Sequence, residues 1–120
     1  VLLVDDERLF RYTGELMLAQ LGYTVITAAD GAAALEVVRA RGDELQLVLL
    51  DLQMPVMDGE ETFERLHAVA PDLPVLLCSG YAREEKAERI LASGARGYLH
   101  KPFEIASLGR AIVHALVGSE

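Results

Sequence analysis

The sequence predicts an α/β fold in which five parallel strands form a doubly wound sheet with helices on both faces. Five short apolar runs alternate with five longer stretches of helical periodicity, and no repeat, low-complexity tract or linker interrupts the alternation. Three of the runs are nearly continuous in Val, Leu and Ile. A strand that is apolar at every position has to be covered on both faces, as in a parallel sheet between two helix layers. Right-handed crossovers then give a doubly wound parallel sheet, for which the order 2-1-3-4-5 is the familiar solution for a (βα)5 chain of this size.

The strand runs are Val1–Val4, Tyr23–Ala28, Leu45–Leu50, Pro74–Cys78 and Arg96–His100. In the first helical stretch, Phe10, Thr13, Gly14, Met17 and Leu21 share a face by i, i+3, i+4, i+7 spacing, and Gly22 supplies the stop. The second starts at Asp30 as N-cap, buries Ala34, Leu35 and Val38, and ends at Gly42. The third has Asp58 as N-cap with Glu61 three residues on, the spacing of a capping box, and turns Phe63 and Leu66 inward before Pro71. A fourth covers about Glu84–Ala92 and stops at Ser93-Gly94; the fifth follows Pro102 and buries Ile105, Leu108, Ile112 and Leu116.

Composition narrows the function. A chain of 120 residues that is 52% apolar and 25% charged has the balance of one globular domain, expected to span 1–120. It starts on a strand and without Met, so a piece cut from a longer protein is expected. No apolar run approaches the ~20 residues of a membrane span, and Val1-Leu2-Leu3-Val4 lacks the basic flank of a signal peptide, so a cytoplasmic protein with no membrane contact is expected. The net charge of -8 argues against a nucleic-acid surface. Cys78 has no partner for a disulfide and reads as a small apolar residue of a buried strand.

In a sheet of this type, ligands bind beyond the carboxyl ends of the strands where the strand order reverses, here between strands one and three. The residues at that edge are Asp5 and Asp6 after strand one, Asp51 after strand three, Ser79 after strand four and Lys101 after strand five. Singly, an Asp after a strand is a turn former and a Lys a solvated surface group. Jointly, four strands deliver complementary chemistry to one crevice, and three carboxylates that close repel one another unless a cation sits between them. A hard, oxygen-seeking ion such as Mg²⁺ suits that set. His67, His100 and His114 are scattered, and no Cys/His cluster points to zinc.

Four segments resemble the receiver domains of two-component response regulators, and the resemblance covers essentially the whole chain. They are Val4-Asp5-Asp6-Glu7, Leu49-Leu50-Asp51-Leu52-Gln53-Met54-Pro55-Val56-Met57-Asp58-Gly59, Cys78-Ser79-Gly80 and Tyr98-Leu99-His100-Lys101-Pro102-Phe103. The resemblance implies a flavodoxin-like fold with Asp51 as the phosphoacceptor. It implies Mg²⁺, replaceable by Mn²⁺, on Asp5, Asp6, Asp51 and the backbone carbonyl of Gln53. Ser79 would hydrogen-bond one phosphoryl oxygen and Lys101 would pair with another. A cis Lys101-Pro102 bond is implied, although trans is the default for X-Pro, and Gly59 belongs to the structural part of the motif. Ser79 and Tyr98 would form the switch, Tyr98 otherwise being a strand aromatic with its hydroxyl in water. Gln53 and Tyr81 sit where receivers vary and where side chains govern access of water to the phosphoryl group.

By the same resemblance the phosphodonor is a histidine kinase or a histidine phosphotransfer domain, and a phosphorylation-dependent homodimer is allowed. The output surface would be the fourth helix, fifth strand and fifth helix, where Arg83, Glu84, Glu85, Lys86, Glu88 and Arg89 also look like any solvated helix face. The stretches Pro74–Tyr81 and Met57–Phe63 look like receivers fused to hybrid sensor histidine kinases. Three rivals remain. A haloacid-dehalogenase-like phosphatase would need an acid where Gln53 stands, and a flavin module would have to seat a phosphate against Asp5, Asp6 and Glu7. A pseudo-receiver used for docking or dimerisation would lack one of the site positions, and none is missing.

Overall fold

The computed structural model describes residues 1–54, 57–80 and 85–117. Its elements are β1 (Leu2–Val4), α1 (Arg8–Gln20), β2 (Ile26–Ala28), α2 (Gly31–Arg41), β3 (Val48–Asp51), α3 (Gly59–Val69), β4 (Val75–Ser79), α4 (Glu85–Ala92), β5 (Gly97–His100) and α5 (Ile105–Val117), with one 3₁₀ turn (Gly42–Glu44) after α2. All neighbouring strands pair in parallel, in the order β2-β1-β3-β4-β5. The predicted fold class and strand order are those observed. Among the described residues, no helix is long and apolar enough to cross a membrane.

The period of two along each strand separates the core into two layers. Leu2, Val4, Val48, Leu50, Val75 and Leu77 join Ala34, Leu35, Val38, Phe63, Leu66, Ala87 and Ile90 of α2, α3 and α4. Leu3, Leu49, Leu76 and Cys78 join Leu18, Leu108, Ile112 and Ala115 of α1 and α5 on the other face. Cys78 is fully buried there, as expected, and burial pushes its thiol pKa up.

Local chemistry explains the helix ends. The Asp30 carboxylate accepts from the Ala33 N–H at 2.8 Å, and Asp58 accepts from the Glu61 N–H at 3.0 Å. The Asp58 contact, first among its causes, holds that carboxyl below its ordinary range. Its capping box is only half made, because the Glu61 carboxylate turns to Arg65 at 2.9 Å instead of back to the cap. Gly22 and Gly94 take φ of +98° and +128°, the left-handed region that favours glycine, and there α1 and α4 stop. Gly42 does not use that freedom: its φ is -56° and the chain tightens into the 3₁₀ turn.

Two helix faces differ from the predicted ones. In α1 the buried positions are Gly14 and Leu18, whereas Leu21 is 36% exposed. A side chain at Gly14 would begin 3.0 Å from Leu3, so the missing Cβ lets α1 approach β1 closely and turns Leu18 inward. In α5, Ala115 rather than Leu116 completes the inward row with Leu108 and Ile112. The charged face of α4 is exposed, and two of its cations also form ion pairs. Arg89 forms a two-point pair with Glu60 (2.9 and 3.0 Å) and Lys86 reaches Asp58 at 3.3 Å, so α4 is tied to the first turn of α3. Arg83 and Glu84 lie outside the described residues.

Candidate functional site

The acidic edge is built by strand ends that the core holds rigid. As β1 ends, Asp5 is fully buried, and its Oδ1 accepts from the Glu7 N–H at 2.9 Å, a local turn that leads into α1. The Arg11 guanidinium donates to the Asp5 carbonyl oxygen at 2.7 Å. Asp51, the last residue of β3, is 2% exposed, and its Oδ1 accepts from the Gln53 N–H at 3.3 Å. Asp6 is exposed beside them. One carboxylate oxygen from each of Asp5, Asp6 and Asp51 lies within 4.8 Å of the others.

Lys101 enters this group from beyond β5. Its backbone N–H donates to the Ser79 carbonyl at 2.7 Å, and the Lys101-Pro102 bond is cis, as the resemblance implies. Its Nζ lies 2.7 Å from Asp5 Oδ2 and 3.3 Å from Asp51 Oδ1. The same ammonium sits 4.1 Å from the centroid of the Phe10 ring, which meets Phe103 edge-on at 5.5 Å.

Three carboxylates and one ammonium leave the cluster negative. Burial, and then the charge of Asp5, push the Asp51 pKa from 3.8 up to about 6, against the pull of Lys101 and the Gln53 N–H. Burial works to lower the Lys101 pKa, but its hydrogen bond to Asp5 and the surrounding negative charge carry it above its ordinary value. An all-oxygen donor set with surplus negative charge, open on one side through Asp6, fits a hard divalent cation. The open cleft beside it is lined by Asp6, Glu7, Asp51, Gln53, Gly80 and Lys101.

The remaining predicted residues fall around this centre. Ser79 is buried at the end of β4, and its hydroxyl donates to Gln53 Oε1 at 2.8 Å. Gly59 touches the backbone of the acceptor strand: a Cβ there would stand 2.5 Å from Leu52 Cα and 3.1 Å from the Asp51 carbonyl oxygen. That approach is open only to glycine, and the Gly59 N–H uses it to donate to Leu52 O at 3.2 Å. Tyr98 is half-buried on β5 and packs against the layer of α2, α3 and α4. Tyr81 lies outside the described residues. Of the histidines, His67 stacks on Phe63 at 5.2 Å within α3, a packing role.

Sequence reasoning missed two contributors. Phe10 reads as one member of an apolar helix face, and only the fold brings its ring over Lys101. Arg11 has no place in the helix face or the strand-end group read from the sequence, yet it ties α1 to the backbone of Asp5. The KPF segment held a partial signal for the first, since Phe103 is the residue against which Phe10 stands.

Comparison with known proteins agrees with this geometry. Residues 1–113 match the family described as "Response regulator receiver domain". Sensor kinase CckA of Brucella abortus (strain 2308) is 38% identical over 116 residues, covering 97% of this chain and 12% of that protein. Response regulator MprA of Mycobacterium leprae (strain TN) is 41% identical over 111 residues, covering 90% of this chain and 46% of its own length. The chain therefore spans less than half of either relative. Among solved structures, the receiver domain of NtrX from Brucella abortus superposes with a TM-score of 0.89 at 32% identity over 98% of both chains. Chemotaxis protein CheY4 of Vibrio cholerae gives 0.87 at 32% identity over 96% of both. The fold, the acidic edge with its inward lysine and this match over nearly the full length lead to one conclusion: the chain belongs to the response regulator receiver domain family of two-component signalling.

Proposed function

We propose that Asp51 is the phosphoacceptor, taking a phosphoryl group from a phosphohistidine on a histidine kinase or histidine phosphotransfer domain. The observation that carries this reading is Lys101 Nζ at 2.7 Å from Asp5 and 3.3 Å from Asp51, inside a group of three carboxylates within 4.8 Å of one another. In the transfer an Asp51 carboxylate oxygen bonds to phosphorus while the P–N bond breaks. The imidazole nitrogen keeps the electron pair and takes a proton from solvent.

Each residue then has a task. Asp5, Asp6, Asp51 and the Gln53 backbone carbonyl would hold Mg²⁺, or Mn²⁺ in its place. Bound there, the ion neutralises charge on the transferring oxygens. Lys101 keeps a fixed ammonium against the same oxygens, already desolvated and aimed by Phe10, so little reorganisation accompanies the transfer. Ser79 donates its hydroxyl proton to a phosphoryl oxygen, and Tyr98 on β5 follows that movement toward the α4, β5 and α5 surface. Gln53 and Tyr81 control the approach of water. The parent protein is a hybrid sensor histidine kinase or a response regulator, the domain works in the cytoplasm, and homodimerisation follows phosphorylation.

Intact mass after incubation with acetyl phosphate tests this reading. One phosphoryl adduct is expected with Mg²⁺, little without it, and none for Asp51→Asn. An adduct retained in Asp51→Asn would move the acceptor elsewhere, and no adduct under any condition would favour a pseudo-receiver that only docks or dimerises.

A further inference from the structure

The Gln53 side chain bridges two loops at the mouth of the site. Its Oε1 accepts from the Ser79 hydroxyl at 2.8 Å and from the Gly80 N–H at 3.3 Å. The backbone N–H can only donate, so the atom facing it is the amide oxygen, which fixes the orientation of the amide group. The bridge spans 26 and 27 positions in sequence and joins the segment after β3 to the end of β4. Gln53, Gly80, Asp51 and Lys101 line one cleft, so Gln53 and one of its two donors, Gly80, border the space where a phosphoryl group on Asp51 would stand, and the other donor, Ser79, is buried next to Gly80 in the chain.

A serine hydroxyl has one proton to donate. While that proton is given to Gln53 Oε1, it is not given to a phosphoryl oxygen, and the same holds for the Gly80 N–H. We infer that Gln53 is a positioning residue: its amide oxygen holds Ser79 and Gly80 in a resting arrangement, and phosphorylation of Asp51 has to break this bridge before the β4 end can move. The phosphoryl oxygens are charged acceptors and make the stronger hydrogen bonds, so the exchange runs downhill once the group is in place. The strength of the bridge sets how far the resting state is favoured beforehand. This inference rests on the assignment of Asp51 as acceptor and adds the group that opposes the switch.

Beryllofluoride, a phosphoryl mimic, is the probe, with excess Mg²⁺ and calorimetric measurement of Kd. Gln53→Met keeps the length of the side chain and removes the acceptor, leaving the backbone carbonyl in place. A neutral hydrogen bond contributes on the order of 0.5–1.5 kcal/mol, so Gln53→Met is expected to bind the mimic about 2- to 12-fold more tightly than wild type, at ~1.4 kcal/mol per tenfold. In a Ser79→Ala background the same change should gain less than about twofold, because the shorter of the two bonds is already gone. A second readout needs neither metal nor mimic: the Gly80 amide should exchange with deuterium at least about twofold faster in Gln53→Met, the low end of the same bond strength. Equal or weaker binding by Gln53→Met, a gain undiminished by Ser79→Ala, or unchanged Gly80 exchange would overturn the bridge while leaving Asp51 as acceptor. Wild type that takes up no beryllofluoride with Mg²⁺ would overturn both.

Discussion

Lys101→Met is expected to lower the phosphorylation rate of Asp51 by about 10²-fold or more, the scale seen when one preorganised charge-stabilising donor is removed from a transferring group. The metal-free protein should also lose about 3 kcal/mol of stability at neutral pH, the scale for breaking a buried ion pair from one side. Asp5 is fully buried and Asp51 nearly so, and in the variant neither has an ammonium to offset its charge. The sign with pH follows from the shifts. The Lys101 pKa is raised, so from its side the stabilisation is complete below the ordinary value of 10.5 and is lost only in strong alkali. On the acid side the Asp51 share of the stabilisation is lost as Asp51 protonates near pH 6, so the gap between the two proteins should narrow as pH falls below that value. Rates under an acetyl phosphate excess and urea midpoints between pH 5 and 8 check both parts. A rate within threefold of wild type would contradict the placement of the ammonium.

Asp51→Asn is expected to have the opposite effect on stability. A folded-state pKa of about 6 against an ordinary 3.8 means that the native state holds a proton which the unfolded chain has already released. Stability of the metal-free wild type therefore falls as pH rises from about 4 to 6 and stays low above that. The total is at most about 3 kcal/mol, and less where Lys101 screens the charge. Asparagine has no proton to lose and keeps an oxygen for the Gln53 N–H, so at pH 8 in EDTA the variant should be about 1–3 kcal/mol more stable than wild type. Below pH 4 the advantage should vanish. Adding Mg²⁺ should narrow the gap, because a ligand stabilises only the form that binds it, by about 3 kcal/mol at a hundredfold excess over Kd. Thermal or urea melts with and without Mg²⁺ measure this. A variant less stable than wild type at pH 8 in EDTA would contradict the picture of mutually repelling acids.

The sheet was legible because continuous runs such as Leu47–Leu50 and Val75–Cys78 admit few readings, and strand alternation with capped helices points to a doubly wound parallel sheet, whose order of 2-1-3-4-5 is the familiar one for this size. The acidic edge was legible for a related reason: polar residues that directly follow apolar strands must appear at one end of the sheet. What periodicity could not supply was phase and partnership. A helical pattern leaves the phase of the face loose, which is the error at Leu18 against Leu21, where Gly14 and its close approach to β1 decided the rotation, and at Ala115 against Leu116. Contacts between distant segments leave no local mark. The Ser79 hydroxyl meets the Gln53 amide, Arg89 meets Glu60 and Phe10 covers Lys101 only once the strands are paired. Gln53 and Phe10 accordingly carried other readings, as a water gate and as a core residue.

The position that carries the phosphoryl group can be read directly. Borohydride reduction of the phosphorylated protein converts an aspartyl phosphate to homoserine, and peptide mapping then identifies the position. Homoserine at position 51 alone, formed only when Mg²⁺ was present, is the predicted result. Homoserine at position 5 or 6, or equal modification in EDTA, would contradict it.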